Sequence, residues 1–355
     1  MNAQEDALQY PWGQELPAPG HTLTVSPGVR WARMSLPFAL DHINLWLLED
    51  TLGERAGWTV VDTCVDRPES RSQWAELMRS SMRELPVLRV VATHMHPDHL
   101  GLAHWLGQRF DAPLWISMSD FLLARLAVKQ DDSFGGQATA DFFARHGMTD
   151  PQVLAAVVSR RNHYASLVPQ VPAHYNRLQD GQMLTIGGRQ WRCISGYGHS
   201  PEHMALYCES PDLERPVLIS GDMVLPRIST NISVYETEPD GNPLQLFLDS
   251  LGKFLHLPAH TLVLPSHGRP FVGLHERVRQ LRQHHQDRLD EVMQACGQQA
   301  QSAADVVQVM FKRRLDVHQT TFALGESMAH LNLLWHAGRV RRQADTRGIL
   351  RFATA

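Results

Sequence analysis

The segment Thr93-His94-Met95-His96-Pro97-Asp98-His99 places four metal-ligand side chains within six positions. In an extended loop, residues two apart project to the same side, so His94 and His96 can chelate one ion together. Asp98 and His99 stand just beyond, where the chain turns, and can reach a second ion a few ångströms away. Such a pair of ions is the working part of a two-metal hydrolase. A lone histidine is more often a packed structural residue than a ligand, but packing does not explain this density of ligand chemistry. The chain holds 20 histidines in 355 residues, and three later clusters extend the pattern: Gly198-His199-Ser200-Pro201-Glu202-His203, Gly221-Asp222 and Ser266-His267-Gly268. Taken singly each is ambiguous, since a Gly-Asp step is commonly just a turn.

These residues need elements to position them. Short apolar runs at 29–34, 43–48, 58–61 and 87–92 read as strands, the last fit for a sheet interior and ending directly at the His94 loop. A helical pattern covers 71–84, and another covers 100–110, so the loop lies between a strand and a helix. Residues 119–165 carry helical periodicity and read as an insertion, a potential lid over the site. Further strands are expected at 183–186, 190–195, 205–209, 217–220 and 261–264, with a helix near 243–255. Several of these strands deliver a ligand-type residue at their end.

His-Met-His-Pro-Asp-His resembles the HxHxDH signature of the metallo-β-lactamase superfamily, and the later clusters follow in the order of that family's motifs over about residues 25–275. The resemblance implies an α+β fold, a four-layer αβ/βα sandwich. It also implies two divalent transition-metal ions: His94, His96 and His199 on one, Asp98, His99 and His267 on the other, and Asp222 between them. Asp62 looks like the family's strand-end aspartate, although Cys64 stands where glycine is usual. His203 is either a residue that orients a ligand or a packed histidine. The donor set suits zinc, and iron or manganese accept the same ligands.

The implied chemistry is hydrolysis by a metal-bridging hydroxide, with Asp98 as the catalytic proton shuttle. A thioester or other carboxylic-ester-type small-molecule acyl substrate is favoured. A lactonase, or an endoribonuclease or phosphodiesterase, is the alternative. Arg227 and Asn231, after the bridging aspartate, are substrate candidates, although for Arg227 the reading as a solvated or structurally paired arginine is favoured.

The formal net charge of −4 and 20% charged residues suggest neither a nucleic-acid protein nor a membrane-surface protein. No signal segment and no apolar run of membrane-spanning length is legible, so a cytoplasmic location is expected. The four cysteines lack metal-site spacing. The catalytic domain is assigned to residues 1–275, and 276–355 to a polar connector helix followed by a small winged-helix-like domain. Residues 301–355 carry eight Lys or Arg against four Asp or Glu, a balance of +4 in an acidic chain. The arginines gather on the expected hairpin, at 339, 341, 342, 347 and 351, whereas the helix over 326–336 is mostly apolar. A structural or homodimer contact is therefore preferred for this module over nucleic-acid binding.

Overall fold

The computed structural model describes residues 3–129, 134–160 and 162–355. After a short helix α1 (Ala3–Asp6), the chain lays down β1 (Thr22–Ser26), β2 (Val29–Ser35), β3 (His42–Leu52) and β4 (Arg55–Val61) as antiparallel neighbours. Helix α2 (Pro68–Ser80) returns it to β5 (Val87–Val91), parallel to β4. Then come α3 (Pro97–Leu100), α4 (Ala103–Phe110), β6 (Leu114–Ser117), and the helices α5 (Met118–Lys129), α6 (Gly136–Arg145), α7 (Pro151–Ser159) and α8 (His163–Leu167) before β7 (Asn176–Leu178). These seven strands form one sheet in chain order.

The second sheet takes β8 (Met183–Ile186), β9 (Arg189–Gly196), β10 (His203–Cys208), β11 (Val217–Gly221), β12 (Leu262–Pro265) and β13 (Phe271–Val272), with α9 (Pro243–Phe254) crossing between β11 and its parallel neighbour β12. The chain ends with α10 (Leu274–Gln298), α11 (Ala303–Met310), α12 (Val317–His336) and the hairpin β14 (Val340–Ala344)–β15 (Leu350–Thr354).

Burial explains the layering. Trp31, Trp46, Val61 and Val91 of the first sheet meet Trp191, Cys193, Leu206 and Ile219 of the second in one dry cluster between the sheets. The opposite face of the first sheet packs Leu45, Val60 and Val90 against Trp74, Leu106 and Phe121. The outer face of the second packs Tyr207 and Leu218 with Phe247, Val278 and Leu281. Strands β5, β10, β11 and β12 are buried along their whole length, which is why they read as continuous apolar runs rather than alternating ones. The result is helices outside two stacked sheets.

Several local expectations shift. Helix α2 begins at Pro68, three residues before the apolar pattern becomes visible, because proline suits the first helical turn where no N–H is needed. The helix expected over 100–110 is broken: the N–H of Leu102 donates to Cys64 O and Thr63 Oγ1, both at 3.1 Å, instead of to its own turn. Gly101 permits this approach, since a Cβ there would lie 2.5 Å from Cys64 O. Strands β6 and β7, four and three residues long, are too short to show a period. Cys64 keeps the left-handed conformation, φ 70°, that glycine would adopt more readily at this turn.

The polar helix α10 is no free connector, for Val278, Leu281, Leu289 and Val292 join the cluster that also holds Phe143 and Val157 of the insertion and Leu324, Met328 and Leu331 of α12. Insertion, connector and C-terminal helices thus share one core. Helix α12 begins nine residues before the expected 326, at a capping box in which Asp316 and Gln319 satisfy each other's backbone N–H groups.

Candidate metal centre

The ligand-type residues arrive at one place from four strand ends. Strand β5 leads to His94, His96, Asp98 and His99; β9 leads to His199; β11 ends one residue before Asp222; β12 ends two before His267. Because β5 and β4, like β11 and β12, run parallel, their carboxyl ends lie side by side, which is what gathers side chains far apart in sequence.

Two triads form. Nε2 of His94 lies 3.0 Å from Nδ1 of His96 and 3.2 Å from Nε2 of His199. Asp98 Oδ2 lies 3.5 Å from His99 Nε2 and 3.4 Å from His267 Nε2. Asp222 spans them: Oδ2 is 3.3 Å from His199 and 3.7 Å from His99, while Oδ1 is 3.4 Å from His267. The donor atoms of each triad lie within 4.8 Å of one another, as does a third set made by His94, His99 and Asp222.

Whether these groups suit metal can be judged from their atoms. Nε2 of His99 and Oδ1 of Asp222 are buried with no hydrogen-bond partner among the described residues, although both point into the cluster. Such orphans are costly unless a ligand satisfies them. Burial, aided by the neighbouring imidazoles, pushes the pKa of His94 well below its usual value and that of His96 down to about 3, so both present neutral lone pairs. Burial also opposes charge on His99 and His267, but Asp62, Asp98 and Asp222 outweigh it at His99, and Asp222 with Asp98 lifts His267 to about 10. The same field that holds protons there favours a cation. The residues fit divalent metal.

The supporting contacts orient the ligands. Asp62, fully buried, receives Nδ1 of His99 at 2.8 Å and the N–H of Thr93 at 2.8 Å. The carbonyl of Asn231 accepts from His199 Nδ1 at 2.8 Å, so this residue acts through its backbone while its side chain accepts from Ser233. His203 accepts the N–H of Asp222 through Nε2 at 3.1 Å and therefore orients the loop that carries the shared carboxylate. The side chain of Arg227 is 72% exposed, approaches Glu5 at 3.8 Å, and borders a second, more polar cavity that His267 also lines.

Other contributors carry no local sequence signal. Asp120, at the start of α5, accepts the N–H groups of Met95 and Glu202 at 2.8 and 2.7 Å and so clamps two ligand loops together. The carbonyl of His42 accepts from His267 Nδ1 at 2.7 Å, and its ring accepts the N–H of Gly268. Asn44 receives Trp31 Nε1 and donates to the carbonyls of Pro265 and Gly268, tying the His267 loop to the first sheet. Tyr164 of α8 donates to Met95 O at 2.6 Å.

Asp98, Asp222, His96, His199 and His267 face a cleft of about 550 Å³. Its walls are largely apolar, with Phe38, Leu40, Phe143, Val157, Leu225 and Val234 among them.

Residues 39–267 match the metallo-beta-lactamase superfamily, and residues 289–355 match the metallo-beta-lactamase-like C-terminal domain. A beta-lactamase domain protein from Burkholderia ambifaria is 50% identical, with 100% of both chains covered and a TM-score of 0.93. A metallo-beta-lactamase family protein from Thermus thermophilus is 25% identical over 94% of this chain and 100% of that one, with a TM-score of 0.75. The probable metallo-hydrolase YqjP of Bacillus subtilis (strain 168) is 21% identical over 318 residues, 85% of this chain and 90% of that protein. The chain belongs to the metallo-beta-lactamase superfamily and is a metal-dependent hydrolase.

Proposed function

We propose that the enzyme hydrolyses a small-molecule thioester or other carboxylic-ester-type substrate. The observation that carries this reading is the largely apolar cleft of about 550 Å³ that opens onto Asp98 and Asp222, a volume in the range of small-ligand sites.

His94, His96 and His199 would hold one divalent ion and Asp98, His99 and His267 a second, with Asp222 shared; the donor set suits zinc. When bound, such ions supply Lewis acidity and lower the pKa of water towards neutrality. The chain's residues then divide the remaining work. Asp62 and the carbonyls of His42 and Asn231 hold the imidazoles in one orientation. Asp98 lines the cleft and is anionic: burial opposes its charge, but His99 and His267 hold its pKa down to about 2. In this reading Asp98 is the residue assigned to move a proton to the leaving group. The apolar walls take up the acyl chain.

Nuclease activity is disfavoured by the C-terminal module. Helix α12 is buried almost without interruption from Ala323 to Leu334, so it has no free face to enter a groove. On the hairpin, Arg342 pairs with Asp240 and stacks on Trp335, and Arg351 pairs with Asp305 and Asp345. These charges serve the fold.

A side-by-side assay of acyl thioesters, homoserine lactones and single-stranded RNA tests the proposal. Thioester turnover lost in Asp222→Ala supports it. RNA cleavage lost in that variant, without thioester turnover, overturns it.

A further inference from the structure

The cleft wall is not uniformly apolar. Where the insertion meets α12, Arg160, His163, Arg313 and His318 line the same cavity as the metal centre. Arg160 follows the last turn of α7 and donates to Thr321 Oγ1 of α12 at 3.3 Å; Arg313 donates to Gln319 Oε1 at 3.0 Å. Among the described residues no carboxylate lies within ion-pair distance of either guanidinium. Glu236 also lines the cleft.

Burial lowers the pKa of Arg160, and no acid among the described residues offsets it. Burial also keeps His163 and His318 below the usual histidine range, with Arg160 adding to the effect at both. Both imidazoles are thus neutral at pH 7 and able to donate a hydrogen bond. A half-buried guanidinium with no counter-ion among the described residues is costly to leave so, and an anion supplied by a ligand would remove that cost.

We propose that Arg160, supported by Arg313, His163 and His318, is a specificity-determining subsite that binds an anionic group, a carboxylate or a phosphate, on the substrate whose acyl bond lies at the metal centre. The substrate class is therefore an amphipathic anion: an apolar stretch along the cleft wall and a charged end at Arg160. This rests on the ester-hydrolase reading only for the identity of the bond that is cut.

Probe binding tests the subsite without turnover. The metal-loaded protein is titrated with anilinonaphthalene sulfonate and with the uncharged phenylnaphthylamine, each fluorescent in apolar surroundings. The wild type is expected to bind the sulfonate about tenfold more tightly, as befits one charge-assisted hydrogen-bonded contact. Arg160→Gln should abolish that preference and Arg160→Lys retain most of it, while affinity for the uncharged probe and the melting temperature stay unchanged. Displacement of the sulfonate by octanoate or by octyl phosphate, weakened in Arg160→Gln, tells which anion the subsite takes. Equal loss of both probes in Arg160→Gln, an undiminished preference, or displacement by neither anion overturns the proposal. Thioesters ending in a methyl or a carboxylate add a kinetic arm, in which Arg160→Gln raises KM for the anionic one alone. Absence of all thioester turnover beside an intact probe preference would count against the ester reading and leave the subsite standing.

Discussion

Nε2 of His203 accepts the backbone N–H of Asp222 across 3.1 Å, while its Nδ1 is buried without a partner among the described residues. Burial first, and then the nearby His199, holds the pKa of His203 well below normal, so the ring is neutral and able to accept. His203→Ala leaves that N–H unpaired beside the shared carboxylate. Metal affinity should fall about 10–100-fold, the usual cost of removing a residue that orients a ligand, as read by metal retention against a competing chelator. Gly221→Ala should reproduce the loss, because a Cβ there would sit 2.1 Å from His203 Nε2 at a φ of 53°. Wild-type retention in both variants would refute the role.

Asp62→Asn separates orientation from packing. The amide keeps the shape and can still accept the Thr93 N–H, but the edge facing His99 Nδ1 can become a donor, and the imidazole must then place its proton on Nε2, towards the metal. The expected outcome is a protein of nearly unchanged melting temperature that binds divalent metal about 10–100-fold more weakly. Calorimetric titration of the metal-free protein measures it.

Asn44→Ala removes one acceptor and two donors that link β3 to the strand end carrying His267. Buried groups left unpaired cost about 1–3 kcal/mol each, so a total loss near 3 kcal/mol is expected. Urea unfolding at fixed metal content measures it; a change under about 0.5 kcal/mol, within the range of ordinary surface substitutions, would contradict the assignment.

The metal-free protein should be most stable near pH 6.5. Below that value His96, whose folded pKa of about 3 lies under the usual 6.5, withdraws stability as acid protonates the unfolded chain preferentially, and His94 acts in the same direction. Above it His267, raised to about 10, withdraws stability as it loses its proton on the way to that pH, and His99 acts likewise. Melting curves from pH 4 to 10, about the range these groups define, should peak in between. Metal should flatten the alkaline limb and release protons on binding at pH 7, seen as a buffer-dependent heat.

Much of the centre was legible because its signals are local. His94, His96, Asp98 and His99 lie within one loop, and Asp222 and His267 each follow a short apolar run. What escaped notice depends on contacts between distant segments. Asp120 has the appearance of an ordinary first-turn carboxylate, yet it joins the loops of Met95 and Glu202. Asn44 lies in the apolar run 43–48, and the two carbonyls to which it donates are more than 220 residues away. Arg227, which follows Asp222 closely in sequence, is exposed and approaches Glu5, a contact no local pattern announces.

The sequence by itself showed the dense His94 to His99 motif and the strand-end plan, because ligand spacing and buried-strand composition are properties of short segments, and its resemblance to a known superfamily carried the hydrolase class. Tertiary structure alone decided which atoms of Asp222 face which triad, which residues hold each imidazole in register, and that Arg160 reaches the same cleft as Asp98. Those relations arise when two sheets, an insertion and a C-terminal helix pack together, and no local pattern encodes the distance between segments that meet only through packing.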